Sequence, residues 1–374
     1  MKITFVLWGT KRTGGTNAIF QVGDRLAKMG HNVTFVSAGP IEHQWFKFTS
    51  NVDFLFPEAK IFPTFVIRKK KVLLSEIISY FLKVFGRGLD LSRHIILASS
   101  IPSDSDCVVA TFFETAFSVQ MADIPDSKKF YYIQHYELVF FEDQISKRRV
   151  KQTYYFPFKW IVSSTWANKM LMENIGRSGS IVIPGIDVST FNADGPESTS
   201  DKFKIIALGK SAKVKGIKCL FEALSIARGS IPNIQLILYG TEPELRTQSP
   251  VDTEYIVRPS NEELSKLYAS ADVLVTPSLY ESSPSPPLEA MACGTPVITT
   301  RFGTEDYCYD NENSLVVLPE DANALSEAII RLHDNPDLRD KLRRNGLKTV
   351  ASMTWDRTAE EFNKVILGNT NNDT

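Results

Sequence analysis

From Glu281 to Ile298 the chain reads ESSPSPPLEAMACGTPVI, with Glu281 and Glu289 eight positions apart around a proline-rich elbow. The run after the elbow has the composition of a short apolar helix that Gly294 ends in a left-handed turn. A helix N-terminus leaves amide N–H groups free and carries partial positive charge, so it is a place to hold an anion such as a phosphate. Carboxylates beside a phosphate are electrostatically awkward unless they bind something else. Sugar hydroxyls are the obvious partner, since a carboxylate accepts two hydrogen bonds from a cis diol. Upstream, Gly209–Gly216 (GKSAKVKG) carries Lys210 and Lys215 on a loop after an apolar run. Cations there suit an anion such as a phosphate. In the first half, Gly14, Gly15 and Thr16 form a loop whose amides suit an acceptor or a phosphate. His135, in FYYIQHYE, follows an apolar run.

These residues need elements to hold them. Lys2–Trp8 (KITFVLW) reads as a buried strand, Asn17–Met29 as an amphipathic helix closed by Gly30, and His31–Ser37 as the next strand. That is a βαβ unit with a right-handed crossover. Strand-like runs recur at Cys107–Thr111, Phe130–Gln134 and Trp160–Ser163. The pattern restarts with strand Lys204–Leu208, helix Ile217–Arg228 and strand Ile234–Tyr239. It continues through strand Glu254–Val257, helix Asn261–Ser270, strand Val273–Pro277, the elbow and strand Thr295–Thr300. Helical patterns fill Asn323–Asp334 and Pro336–Val350. Strands alternating with helices predict an α/β fold with parallel sheets, whose ligands bind at the carboxyl ends of the strands. The polar run Asn192–Asp201 reads as a linker between an N-terminal domain, 1–191, and a C-terminal domain, 202–353. Residues 368–374 are expected to be a disordered tail.

Net charge is −1 over 374 residues, which excludes an overall basic field for nucleic acid. The first half is nevertheless basic and the second acidic. Cys107, Cys219, Cys293 and Cys308 are widely spaced and form no C-x-x-C, as expected of a chain in a reducing cytoplasm. The apolar run Phe5–Trp8 is too short for the core of a signal peptide, and no run reaches the length of a membrane span. Asp104-Ser105-Asp106 is a D-x-D, a pattern that can hold a metal, but it precedes a strand, where Asp and Ser commonly make turns. Two basic clusters adjoin apolar or aromatic residues: Arg68–Lys71 before Val72–Phe85, which has a helical pattern, and Lys147–Lys151 before Tyr154, Tyr155, Phe156 and Phe158. Basic residues beside exposed aromatics suit the surface of an anionic bilayer.

The order of motifs resembles the retaining glycosyltransferases of family 4, which have the GT-B fold. It runs Gly209-Lys210, Lys215-Gly216, Tyr239-Gly240, Pro277-Ser278, then Glu281-x7-Glu289 and Ala290-Met291-Ala292-Cys293-Gly294-Thr295-Pro296-Val297. In the first half Gly14-Gly15, Gly30-His31-x-Val33-Thr34 and Ile183-Pro184-Gly185-Ile186-Asp187 with Phe191 agree, and Thr354-Trp355-Asp356 agrees near the end. The resemblance runs from residue 2 to about 367. It implies two Rossmann-like domains facing across a cleft, with a C-terminal helix, 354–367, crossing back to the first domain.

The resemblance also implies roles. Lys210 and Lys215 face the leaving diphosphate, and Glu281 touches hydroxyls of the donor sugar. Glu289 binds the ribose, and His135 reaches the donor sugar from the other domain. Ser283 and Ser285, with Gly14 and Gly15, are placed in donor binding, and Glu305 near it. The implied reaction is transfer of a hexosyl or deoxyhexosyl group from a nucleotide-diphosphate sugar to a hydroxyl of a glycan or lipid-linked acceptor. It proceeds with retention and without a metal or cofactor, in the cytoplasm or at the inner face of the membrane. Two departures stand out: Lys210 replaces the family's usual Arg, losing the planar fork, and Ser282-Ser283-Pro284-Ser285 stands where the family often has Gly-Phe-Gly-Leu. Hydrogen bonds to the base are expected from backbone near Val257–Ser260.

Other functions compete on such a scaffold. A nucleotide-sugar epimerase needs acid and base groups around the sugar, and His135 is the one candidate. A non-catalytic nucleotide-sugar binder or enzyme partner would bind the nucleotide and turn over nothing, and the Pro284 and Lys210 departures suit it. A nicotinamide dehydrogenase would carry G-x-G-x-x-G after an opening strand, and neither half does.

Overall fold

A computed structural model of the chain describes residues 1–37, 39, 42–56, 64–67, 70–73, 91–194 and 201–368. The described chain divides into two compact units. The first comprises 1–163, 167–182 and 358 onwards, and the second 164–166 and 183–357.

The first unit is built on seven parallel strands: β1 (Lys2–Leu7), β2 (Asn32–Ser37), β3 (Asp53–Leu55), β6 (Cys107–Ala110), β7 (Lys129–Ile133), β8 (Lys159–Val162) and β9 (Ser180–Ile181). Their order is β3-β2-β1-β6-β7-β8-β9. Strands β4 (Thr64–Ile67) and β5 (Lys70–Leu73) pair antiparallel outside that sheet. The central strands are apolar and buried along their length, as strands covered on both faces must be. The first helix runs Gly14–Lys28, three residues ahead of the expected start, because Thr13 caps it: the Thr13 hydroxyl accepts from Thr16 N at 3.1 Å. Gly14 and Gly15 are therefore the helix's first turn rather than a loop. Its face Ala18, Ile19, Val22, Gly23, Leu26 is buried. A Cβ at Gly23 would lie 2.4 Å from the Phe35 ring, so helix and strand meet there at backbone distance.

The second unit repeats the plan with six parallel strands: β10 (Phe203–Gly209), β11 (Ile234–Gly240), β12 (Asp252–Val257), β13 (Val273–Thr276), β14 (Val297–Thr300) and β15 (Leu315–Val317). Their order is β12-β11-β10-β13-β14-β15. Renumbered within the unit this is 3-2-1-4-5-6, the order of a dinucleotide-binding sheet. Side chains alternate between the faces. Ile205, Ala207, Leu236, Leu238, Val273 and Val275 pack with the helices Ile217–Ala227 and Ala322–Asp334. Ile206, Ile237, Tyr239, Leu274 and Val297 pack on the other side with Asn261–Ala269 and Ser285–Ala292.

The first unit ends at Val182, earlier than the linker suggests, because Ile186 and Phe191 are buried in the second unit's core. Gly185 explains one of the sequence motifs. A Cβ there would lie 2.3 Å from the Thr354 carbonyl carbon and 2.4 Å from Trp355 N, so the Ile183–Asp187 and Thr354–Asp356 motifs cross backbone to backbone. The last helix, Trp355–Ile366, leaves the second unit and joins the first from Thr358. Its buried face, Ala359, Phe362 and Ile366, puts Phe362 against Phe5 and Tyr132, ring centroids 5.8 and 5.5 Å apart.

Several expectations change. The Lys147–Lys151 cluster lies on the helix Gln144–Thr153, but Tyr154 and Phe158 after it are buried in the core and Phe156 is half-buried; Tyr155 is exposed. Arg149 is tied to Glu114 at 2.5 Å. Val72 and Leu73, read as the start of a helix, end strand β5. The rest of Val72–Phe85, together with Arg68, Lys69, residues 195–200 of the linker and the tail from 369, lies outside the described residues. Among the described residues no helix is long and apolar enough to cross a membrane. All four cysteines are free and buried. Burial pushes the thiols of Cys219 and Cys293 up to about 11, and those of Cys107 and Cys308 higher still.

Candidate active site

In the second sheet the strand order reverses between β10 and β13, and the chain leaves their carboxyl ends in opposite directions. A crevice for a ligand opens at such a point. The loop after β10 is Lys210–Gly216, and the segment after β13 is the Glu281 elbow. Topology alone thus brings the two sequence motifs together.

Local contacts fix them. Leu279 N donates to Val214 O at 2.9 Å, joining loop to elbow. Gly216 adopts φ +67°, and a Cβ there would lie 1.9 Å from Pro277 O. Gly303, φ +81°, closes against the Glu281 carbonyl oxygen, 2.2 Å from a notional Cβ. The result is an ion pair, Lys215 Nζ to Glu281 Oε1 at 2.5 Å, with the two side chains 25% and 14% exposed. Ser278 Oγ donates to the same Oε1 at 2.9 Å. An ammonium has three donors, so the pair anchors Lys215 and leaves N–H groups for an anion. Lys210 is exposed, and its charge helps to hold the Glu242 carboxyl below its usual range; the larger cause is Ser211, whose N donates to Glu242 Oε2 at 2.8 Å.

The elbow helix runs Ser285–Ala292, with Pro284 as an N-cap that accepts no side-chain bond. Pro286 and Pro287 occupy its second and third positions. Of residues 283–287 only Ser283 and Ser285 bear an N–H, so the helix start offers fewer amide donors than expected, though its dipole remains. Ser285 is exposed and Ser283 half-buried. Tyr307 OH donates to Pro284 O at 2.5 Å, pinning the turn from β14's side. Glu289 lies mid-helix, and its Oε2 accepts from Tyr268 OH at 3.0 Å; Tyr268 OH lies 2.8 Å from Tyr239 OH. Burial, then Tyr239 and Glu289, raise the Tyr268 hydroxyl well above its ordinary pKa, so it stays a donor. Gly294, φ +75°, ends the helix as expected. Glu305 accepts from Gly303 N at 2.7 Å, and desolvation raises its carboxyl.

At the carboxyl end of β12, Arg258 holds φ +49°, uncommon for a residue with a Cβ, with its N–H donating to Gly240 O at 2.8 Å. Sequence reasoning pointed to this backbone but not to its conformation. It also missed Ser278 and Tyr239 as contacts, though both stand in the motif order, and it missed Tyr268 and Tyr307 altogether.

In the first unit Gly14 and Gly15 follow β1 and His135 follows β7, all on the carboxyl edge of that sheet. A Cβ on Gly15 would lie 2.9 Å from Gln134 Oε1. The His135 ring meets Phe140 edge-on at 5.2 Å. Asp104 and Asp106 lie on the opposite, amino edge, where Asp104 pairs with the Lys2 ammonium and Asp106 accepts from Lys2 N at 2.9 Å. Among the described residues no group of three or more His, Cys, Asp or Glu is placed to hold a metal ion.

The sequence profile of glycosyl transferases group 1 matches residues 189–349, the segment that carries the ion pair, the elbow and both glutamates. That segment is a group 1 glycosyltransferase domain. The chain is 30% identical over 196 residues to a D-inositol 3-phosphate glycosyltransferase of an Arthrobacter species, 47% of each chain. It is 30% identical over 231 residues to an MMP alpha-(1->4)-mannosyltransferase of Mycolicibacterium hassiacum, 58% of this chain and 55% of the relative. The chain thus spans about half the length of these curated relatives. Among solved structures it resembles sucrose-phosphate synthase from Thermosynechococcus elongatus, with TM-score 0.74, 20% identity and 98% of both chains covered. It also resembles Anabaena HepE in complex with UDP-glucose, with TM-score 0.73, 14% identity and coverage of 98% of this chain and 100% of that one. The fold is GT-B.

Proposed function

We propose that the protein is a retaining glycosyltransferase that moves a hexosyl or deoxyhexosyl group from a nucleotide-diphosphate sugar to an acceptor hydroxyl of a glycan or lipid-linked glycan, without a metal. One observation carries this reading. At the carboxyl end of the switch-point strands, a half-buried lysine and a carboxylate share one hydrogen-bonded cluster, Lys215–Glu281–Ser278. Lys215 and Lys210 stabilise the leaving diphosphate, whose charge is larger in the transition state than in the bound donor. Glu281 orients the donor sugar and Glu289 the ribose, with Ser283 and Ser285 at the phosphates. The base lies along the backbone at Arg258. The acceptor attacks from the face the diphosphate leaves, and a phosphate oxygen takes its proton, so no enzyme nucleophile is needed. His135, Gly14 and Gly15, on the carboxyl edge of the first sheet, complete the proposed set. UDP-glucose in the structurally similar HepE supports a nucleotide-sugar donor.

The test is calorimetric titration of UDP, GDP, ADP and dTDP, with and without magnesium, into wild type and Glu289→Ala. Selective binding, indifferent to magnesium and weakened by about 1–3 kcal/mol in the variant, is expected for loss of a charged hydrogen-bond partner. No binding by any nucleotide would sink the reading. The three elbow prolines favour a second one, a binder without turnover, because they remove amide donors from the phosphate end. Slow hydrolysis of the bound sugar nucleotide by wild type, abolished in Lys215→Ala, would reject it.

A further inference from the structure

Glu281 uses its two oxygens unequally. Oε1 accepts from both Lys215 Nζ and Ser278 Oγ, while Oε2 has no hydrogen-bond partner among the described residues. The two contacts on Oε1 differ in kind. A lysine ammonium is a mobile point charge on a flexible stem. The Ser278 hydroxyl is short, directional and buried, and its backbone is pinned by Thr300 Oγ1, which donates to Ser278 O at 2.5 Å. Thr300 itself ends β14, so the anchor reaches into the sheet.

We propose that Ser278 is a positioning residue: it holds Glu281 Oε1 in place, so that Oε2 stays turned to the donor sugar's hydroxyls when Lys215 engages the diphosphate. The inference rests on the donor reading above and deepens it. Lys215 has donors for both the phosphate and Glu281, but as a mobile charge it shifts toward the phosphate when one binds and then holds Glu281 less firmly. The serine separates the two tasks, so the sugar contact survives the lysine's movement.

Titrations of UDP, UDP-glucose, GDP and GDP-mannose into wild type, Ser278→Ala and Ser278→Thr test this, together with crystal structures of ligand-free wild type and Ser278→Ala. In the alanine variant the free nucleotide is expected to bind as in wild type, while the matching sugar nucleotide weakens roughly tenfold, the scale of one hydrogen bond to a charged group. Ser278→Thr, which keeps the hydroxyl, restores it. A merely structural serine would weaken both ligands alike, and that result, or no loss for either, overturns the proposal. So does a Glu281 carboxylate that stays unmoved in the alanine crystal. If wild type binds none of the four ligands while that carboxylate has turned, the donor reading falls and the positioning role stands.

Discussion

Each glutamate of the elbow has a buried hydroxyl to set its direction, as the proposed sugar contacts require. For Glu289 it is Tyr268, backed by Tyr239 in a chain of hydroxyls at 3.0 and 2.8 Å. Tyr268→Phe keeps the packing and removes the donor. On the proposed reading, the free nucleotide that wild type binds and its sugar nucleotide are expected to weaken alike in this variant, by about 1–2 kcal/mol, because the ribose is common to both. Calorimetry that shows a loss confined to the sugar nucleotide would move Glu289 from the ribose to the sugar. Lys215 and Glu281, which the structure pairs, stood out in the sequence because each sits in a short motif of local spacing. Tyr239 and Tyr268 did not stand out as contacts: they reach Glu289 from a strand and a helix distant in sequence, and an apolar neighbourhood conceals a polar tip.

Among the elements, the parallel strands were read within a residue or two, since runs buried on both faces leave a continuous apolar signal. The short strands β3, β9 and β15 were missed, being too brief for any period. The prolines at 286 and 287 were visible, but their effect depended on where the helix starts, which Tyr307's bond to Pro284 O helps to set. The loop bearing Lys215 depends on one backbone conformation. Gly216→Ala puts a methyl group against Pro277 O at φ +67°. It is expected to destabilise the protein by about 2 kcal/mol or more, with an unchanged urea m value, and to weaken nucleotide-diphosphate binding. The helix Gln144–Thr153 carries exposed Ile145, Arg148 and Lys151, near exposed Phe140 and Tyr155. We propose it as part of a surface for anionic bilayers; Arg68–Lys71 is a second basic run in the sequence. Flotation with phosphatidylglycerol vesicles is expected to fail when Lys69, Lys70, Lys71, Arg148 and Lys151 are changed to Glu; unaltered flotation discards the idea.

For the molecule as a whole, stability carries a pH signature from Glu137. This carboxyl is buried in the first unit, accepting from Phe113 N at 3.0 Å and Tyr131 OH at 3.2 Å, and desolvation pushes it from 4.5 up to about 8. The folded state therefore holds a proton that the unfolded chain has already lost. Its contribution is complete below pH 4.5, falls as pH rises, and is gone above about 8. Glu137→Gln, a neutral mimic of the protonated acid, is expected to be more stable than wild type at pH 8.5 by about 1–3 kcal/mol and little different near pH 5. Thermal melts at both values check this, and a parallel pH dependence in the two proteins would refute it.

The four buried thiols have a practical consequence. With burial holding each of them in the unreactive protonated form, a maleimide dye should find nothing to alkylate on the folded protein. Lys213, exposed on the loop after β10, then becomes an address: Lys213→Cys supplies the one thiol a reagent can reach. A fluorophore attached there would report occupancy of the loop by its brightness, before any acceptor is known.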